Sequence, residues 1–579
     1  MGWSDVLAAE RLKAVGEAAD ALAERGFSQQ ASGKWTGNLT LPEHSIGIEI
    51  VIPSEFPDKL PEIFVANPGD VAVRPHIERS GKICIATPNG NLLDTDRPLA
   101  LIVDSLDRAK SILSASEKDQ KTDVQLEFVA YWPEKHSNVE ICSIIDPTRV
   151  SGEVVYAPVS LNIGHLIFAN SAKDLKQWAR KAGATYGEIK TSFFAKLAQL
   201  PDPPRFEHAI STKELDTLLL SHMSKGDYEQ WKKWDRGRRP PEAILLACEL
   251  IDRSFTVVAV RSAQLTEAQS RAIENPYNRK KPPAKLVRKA LLNNPVRRRG
   301  VTRFDLPHLL NRTGNMLDLD GARVAIVGCG AVGSQIAVAA AALGVRGLTL
   351  VDHELLAADN IHRHALGAAD VNRLKVVALT ERIEQRFPNS NIVPRAERIE
   401  KVFENTPEIV DDIDVFIFAL GDETLERRIN SFLGPSVMRL HSWVEPLGIG
   451  GHCLIIPGGE QKGCFECLYG RDEKSTIYNM SSLCERGQVF ERTTGGCAGT
   501  FTPFGYVDTL DIASKTARVL ARVLTDKSAK HGLLSWIGDE RLFVEAGLRL
   551  SKRGEQLTIS RESFRDDVLR ADCSICAKW

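Results

Sequence analysis

The residues best able to do chemistry in this chain are a glycine loop with ordered polar residues behind it, two cysteine pairs and two isolated cysteines. The apolar run Ala322–Val327 leads into Gly328-Cys329-Gly330-Ala331-Val332-Gly333, and then a small-residue stretch, Ser334–Leu343. That order predicts strand, tight turn and helix, with phosphate oxygens received by backbone N–H groups at the positive end of the helix dipole. A second predicted strand, Leu348–Val351, ends at Asp352, about 20 residues on, where a carboxylate can accept ribose hydroxyls. Taken alone, the loop and its aspartate suit a dinucleotide oxidoreductase as well as an ATP-using enzyme.

The cysteines divide by spacing. Cys464-Phe465-Glu466-Cys467 and Cys573-Ser574-Ile575-Cys576 are C-x-x-C pairs, which together would bind Zn²⁺ through four thiolates and leave no open position for catalysis. Either pair alone could be a redox couple. Cys497 lies in Gly495-Gly496-Cys497-Ala498-Gly499-Thr500, where glycines keep a thiol accessible and able to ionise, and Cys484 is the reserve candidate. Cys84, flanked by Ile83 and Ile85, reads as a core thiol by its neighbours alone. Cys329, Cys453 and Cys248 read as packing.

These residues must be positioned by several domains, because 579 residues exceed one ordinary core. A 43% hydrophobic and 26% charged composition with a net charge of -1 describes a globular protein without a field directed at nucleic acid or membrane. Eleven cysteines in so long a chain do not make a disulfide scaffold, and their grouping points to metal ligands and reactive thiols in a reducing, cytoplasmic setting. The opening stretch to Arg25 reads as an amphipathic helix, not a targeting signal. We expect three parts: 1–118, 119–315 and 316–579. The first has a helix over Ser4–Arg25, a strand at Ile46–Ile52, a Pro-rich passage and a helix near Pro98–Leu113. The second mixes strands (Val139–Ile145, Phe255–Val260) with helices (Ala172–Lys181, Ala243–Ile251) and ends in a basic stretch, Asn275 to Arg303, read as a solvated linker. The third alternates strands and helices as a doubly wound sheet does, including a strand Val415–Ala419 and a helix Val507–Leu520.

The segment behind the glycine loop resembles the adenylation domain of ubiquitin-activating enzymes, shared with ThiF-type bacterial enzymes that activate sulfur carriers. The resemblance covers about 316–579 and rests on Asp352, Asn360, Arg363, Lys375 and Asp422 in order. It implies ATP held at Gly328, Gly330, Gly333 and Asp352, phosphate contacts from Asn360 and Arg363, and charge neutralisation by Lys375. It also implies Mg²⁺ on Asp422, Zn²⁺ on Cys464, Cys467, Cys573 and Cys576, and a thioester on Cys497. Members of that family often borrow an arginine from a partner subunit, and Arg303 and Arg312 precede the loop, which hints at a homodimer.

Residues 1–118 resemble a ubiquitin-conjugating domain, through Ile52-Pro53-Ser54-Glu55-Phe56-Pro57, Pro61-Glu62-Ile63-Phe64-Val65, Gly81-Lys82-Ile83-Cys84-Ile85 and Arg97-Pro98. The resemblance makes Cys84 a second thioester carrier. Where that family has His-Pro-Asn, this chain has Arg74-Pro75-His76, so His76 stands in place of the oxyanion asparagine and could donate to an oxyanion, act as a base or simply make a turn. Both parts together resemble the fused enzyme of type II CBASS anti-phage operons. The implied fold is multi-domain α/β: an α+β conjugating-like part, a mixed α/β connecting region and a Rossmann-like adenylation part. The implied activity is ATP-dependent ligation of a protein C-terminus, that of a cGAS-like nucleotidyltransferase (a cyclic-oligonucleotide synthase), through Cys497 and Cys84 to an acceptor. An enzyme for a bacterial ubiquitin-like modifier and a sulfur-carrier adenylyltransferase are the alternatives.

Overall fold

A computed structural model describes all residues except 1, 32, 43, 68–74, 79, 87–91, 116, 135–139, 162, 203–208, 275–281, 314–318, 460–462, 494–499 and 527–529. Cys497 and Arg74 therefore lie outside the described residues. Contacts divide the chain into two compact units, 1–175 with 187–303, and 176–186 with 304–579.

The first unit opens with the helix Trp3–Glu24, which buries Ala14, Ala18, Ala21 and Leu22. An antiparallel meander comes next, in the order Ser28–Ala31, Lys34–Thr40, Ser45–Val51, Glu62–Val65 and Lys82–Ile83. Alternation in these strands turns Trp35, Ile48, Ile50, Ile63 and Ile83 inward, onto Ala18 and Leu22 and onto Ile102 and Leu106 of the helix Pro98–Leu113. The helices Glu117–Leu126 and Phe128–Tyr131 succeed it. The rest of the unit is built on a mixed sheet running Arg297–Gly300, Phe255–Arg261, Ala243–Glu249, Lys190–Leu197, Gly152–Leu161, Ile163–Ala169, Glu140–Ser143 and Thr302–Arg303, with helices such as Thr212–His222 and Lys225–Asp235 between strands.

Two sequence expectations are corrected here. Ala243–Ile251, expected as a helix, contains the central strand Ala243–Glu249, buried over its first six residues. A continuous apolar run carries no period, and its shortness marks a strand covered on both faces. The basic stretch Asn275 to Arg303 is no linker where it is described: Ala284–Leu291 is a helix, and Arg297–Gly300 pairs with Phe255–Arg261. Arg298 is fully buried, its guanidinium 5.9 Å from the Trp132 ring and its N–H donating to Glu134 at 3.2 Å.

The second unit is built on an eight-stranded sheet, in the order Asn391–Arg395, Gly347–Val351, Arg323–Val327, Val415–Phe418, Arg439–Val444, Gly450–Ile456, Gly532–Ile537 and Glu562–Arg565. The first five strands are parallel and the last three antiparallel. The chain moves outward from Arg323–Val327 in one direction, then returns to pair Val415–Phe418 on its other flank. That reversal leaves a crevice at the carboxyl ends of these strands, where doubly wound folds bind nucleotides. The helix Ala331–Ala342 packs there against Tyr506–Thr525 through Ala337, Ala340 and Ala341. Among the described residues no helix is long and apolar enough to cross a membrane.

Candidate functional site

The nucleotide crevice is built from the glycine loop outward. Gly328 has φ +87°, and a Cβ there would lie 2.7 Å from the Ala419 carbonyl; a Cβ on Gly333 would lie 1.8 Å from the Gly328 carbonyl. Neither position accepts a side chain, so loop and helix meet backbone to backbone and the N–H groups stay open toward the crevice. The Asp352 carboxylate accepts from the Cys329 N–H and the Glu354 N–H, both at 2.8 Å. The buried His364 takes an N–H from Leu366 on Nδ1, so its Nε2–H donates to the Cys329 carbonyl at 2.8 Å. Burial lowers the pKa of this imidazole, keeping it in the neutral form that this pair of bonds requires.

The Arg363 guanidinium donates to Asn360 Oδ1 at 3.0 Å and stacks 4.8 Å from the Phe504 ring. Phe504 is preceded by Pro503, whose carbonyl accepts from the Leu447 N–H at 2.7 Å. The arginine thus joins the crevice to the segment that leads from Cys497 into Tyr506–Thr525. Lys375 starts the helix Lys375–Arg386 with its side chain buried, and its ammonium is paired with Glu354. This pairing draws the Glu354 carboxyl below its ordinary range. Asp422 caps the helix Glu423–Leu433, accepting from the Leu425 N–H at 3.0 Å, beyond the 419–421 turn that abuts Gly328. The glycines, Asp352, the Asn360–Arg363 pair and Lys375 thus gather with the Asp422 loop around one crevice.

The four paired cysteines are brought together and buried, every thiol sulfur within 4.8 Å of the others. Cys464 and Cys573 lie 3.6 Å apart, and Cys467 and Cys576 lie 3.4 Å apart. A tetrahedron with 2.3 Å Zn–S bonds has edges of about 3.8 Å, so the donor set fits one zinc ion. The first knuckle is tied to the helix that Asp422 caps: Glu466 receives both arms of Arg427 at 2.6 and 2.8 Å, and Asn430 accepts from the Phe465 N–H at 3.1 Å. Glu426 of the same helix holds the Leu420 N–H at 3.2 Å and His441 at 2.7 Å, and Phe465 stacks on His441 at 4.2 Å.

In the first unit Cys84 is the exposed member among the described cysteines, the others being buried. Ile83 points into the meander core while Cys84 emerges at its edge. The Cys84 N–H donates to the His76 carbonyl at 2.7 Å, and its thiol lies 3.8 Å from Glu78. Partial burial, then Glu78 and Glu127, raise the Cys84 pKa. His76 has φ +62°, sparsely used by a residue with a side chain. Its N–H donates to the Tyr131 hydroxyl at 3.0 Å, and its Nδ1 faces Glu127 at 3.1 Å.

Other candidates fare differently. Cys484 is buried and bonds Glu445 at 3.4 Å, which removes it as an accessible acceptor. Arg303 is tied to the Phe255 carbonyl, and Arg312 ends the short helix Leu306–Asn311 in solvent. Sequence reasoning gave no role to Glu354, His364, Glu127 or Tyr131. The first two stand in the polar run after Asp352 and were legible as part of it.

Residues 307–504 match the ThiF family, and residues 8–141 match prokaryotic E2 family B. The chain is 24% identical over 518 residues to the ATP-dependent ubiquitin transferase-like protein Cap2 of Pseudomonas aeruginosa strain BWHPSA011, covering 85% of this chain and 89% of that protein. Against the protein of the same name from Escherichia coli strain TW11681 the identity is 22% over 545 residues, covering 88% and 87%. The solved structure of E. coli MccB with ATP aligns at a TM-score of 0.31 and 15% identity, over 45% of this chain and 67% of that one.

Proposed function

We propose, from a chain that fuses an E2-type region to a ThiF-type region, an ATP-dependent ligase that conjugates a partner protein through its C-terminus. At the crevice the partner's terminal carboxylate attacks the α-phosphorus of ATP and pyrophosphate leaves. Asp352 receives the ribose, Asn360 and Arg363 the phosphates, and Lys375 exchanges Glu354 for the α-phosphate as charge grows there. Asp422 would hold Mg²⁺, which would supply charge neutralisation to the pyrophosphate. Cys497 then takes the acyl group from AMP, Cys84 takes it from Cys497, and an acceptor takes it from Cys84. The cysteine tetrad holds Zn²⁺ as a brace, without a step in the chemistry. The three-part division at about 118 and 315 accords with this allocation, with the connecting region between two active parts.

The observation that carries the reading is the exposure of Cys84 beside His76. A sulfur-carrier adenylyltransferase would leave this thiol without work. The partner is proposed to be a cGAS-like nucleotidyltransferase of a CBASS operon, the enzyme acting as a cytoplasmic homodimer. The test is intact-protein mass after co-expression with genomic neighbours, as wild type, Cys84→Ser and Cys497→Ser. A partner-sized, hydroxylamine-labile adduct on Cys84→Ser, lost when Cys497 is also replaced, supports the relay. Pyrophosphate exchange with no adduct from any neighbour removes Cys84 from it.

A further inference from the structure

Discharge of an acyl group from a thiol to an amine requires a proton acceptor, because the attacking nitrogen becomes cationic as the C–N bond forms. His76 is placed for that task by residues lying beyond the meander, on the helices Glu117–Leu126 and Phe128–Tyr131 and at the residue between them. Glu127 faces Nδ1 at 3.1 Å, while Asp123 is 4.0 Å from Nε2, too far for a hydrogen bond. With Nδ1–H donated to Glu127, Nε2 keeps its lone pair. Tyr131 donates its hydroxyl to Glu127 and accepts from the His76 N–H at 3.0 Å, holding both the carboxylate and the left-handed backbone. The His76 carbonyl in turn receives the Cys84 N–H, so base and thiol share one backbone clamp.

We propose that Glu127 and Tyr131 are positioning residues that make His76 the base when Cys84 discharges to a primary amine. This rests on the reading of Cys84 as an acyl carrier. The surrounding charge favours a cationic acceptor: Glu78, Asp123 and Glu127 face the site, and the nearby Lys82 is occupied by Glu62 at 2.5 Å. An acceptor thiol would have to approach this site as an anion. The amine arrives as an ammonium and loses one proton to solvent. As its nitrogen bonds the thioester carbon, a second proton passes to His76 Nε2. The C–S bond then breaks, and that proton moves to the Cys84 sulfur, leaving an amide and a free thiol.

The test uses the full chain with Cys497→Ala, its Cys84 charged by exchange with a glycine-ended peptide thioester. Single-turnover discharge into Nα-acetyl-lysine methylamide is tracked by mass across pH, normalised to charged protein. We expect discharge to fall about 100-fold in His76→Gln and about 10-fold in Glu127→Gln. Glu127→Asp, which keeps a carboxylate opposite Nδ1, should recover part of the rate that Glu127→Gln loses. Tyr131→Phe slows discharge as well, because the His76 N–H and Glu127 lose the hydroxyl that holds them. The proposal is overturned if His76→Gln discharges like wild type. It is also overturned if Glu127→Asp is as slow as Glu127→Gln, or if the amine adds nothing to hydrolysis. If Cys84, with Cys497 restored, is never charged from an adenylated partner although the peptide-charged form obeys these expectations, the relay fails and the base assignment stands.

Discussion

Lys375 and Glu354 form a pair whose two members differ in burial, and the difference makes a two-way prediction. The lysine side chain is 6% exposed and the glutamate side chain 58%. Replacing Lys375 by Met leaves a carboxylate that water can solvate and fills the buried shaft with an apolar chain. Stability should change by less than about 1 kcal/mol, as when buried ion pairs give way to apolar residues. On the proposed reading of Lys375 as the cation that meets the α-phosphate, activity should fall by about 10²–10³ in rate, or roughly 3–4 kcal/mol of barrier. Glu354→Ala does the reverse. It strands an ammonium in the interior, which costs about 3–5 kcal/mol where both partners are buried. Since Glu354 lies more than half in water, the expected cost is roughly 1–2 kcal/mol, a fall in unfolding temperature of roughly 2–8 °C. The Glu354 carboxyl is depressed in the folded state, so this contribution is present above the ordinary glutamate range and lost as pH falls through the folded value. Thermal unfolding without nucleotide and ATP–pyrophosphate exchange, measured on both variants, check the two halves. Exchange within about threefold of wild type in Lys375→Met, where the loss of a preorganised cation demands far more, or equal destabilisation by both changes, would refute the reasoning.

Further outcomes rest on single contacts. Gly333→Ala should abolish binding of a fluorescent ATP analogue, since its methyl would meet the Gly328 carbonyl at 1.8 Å, while Gly330→Ala, with nothing within 4 Å of its Cβ, should keep the fold. Elemental analysis should find about one zinc per chain, and Cys576→Ser should lose it and expose the segment after Arg565 to protease. Glu78 contributes to raising the Cys84 pKa, so Glu78→Gln should speed iodoacetamide alkylation of Cys84 at neutral pH and lose that advantage at high pH, as peptide mapping would show.

The sequence spoke clearly where local pattern and long-range packing demand the same residues. The helix Pro98–Leu113 and the strand–turn–helix at Gly328 are such places, because Pro at a helix start and glycines at a crowded turn have few substitutes. The strand Ala243–Glu249 was misread because its neighbours, not its period, decide its conformation. Arg297–Gly300 was misread for a related reason. A run of arginines suggests solvent until its partner strand Phe255–Arg261, well upstream in the chain, is in place.

The candidate sites divide in the same way. The tetrad was legible because C-x-x-C fixes two thiols within one turn, and only the meeting of the two knuckles, 109 residues apart, was left to the fold. His76 was visible as a departure from a pattern, yet its neighbours were not. Glu127 and Tyr131 lie 51 and 55 residues away, past the expected boundary at 118 and in the part to which no chemistry was assigned. Glu127 and Tyr131 are one helical turn apart, which aligns their side chains on one face, and Asp123 stands a turn earlier. A charged face with this spacing is by itself a solvated surface. It acquires chemical meaning only when a left-handed residue beside an exposed thiol is found against it, so a histidine in a strained turn should be traced to its clamps before its role is assigned.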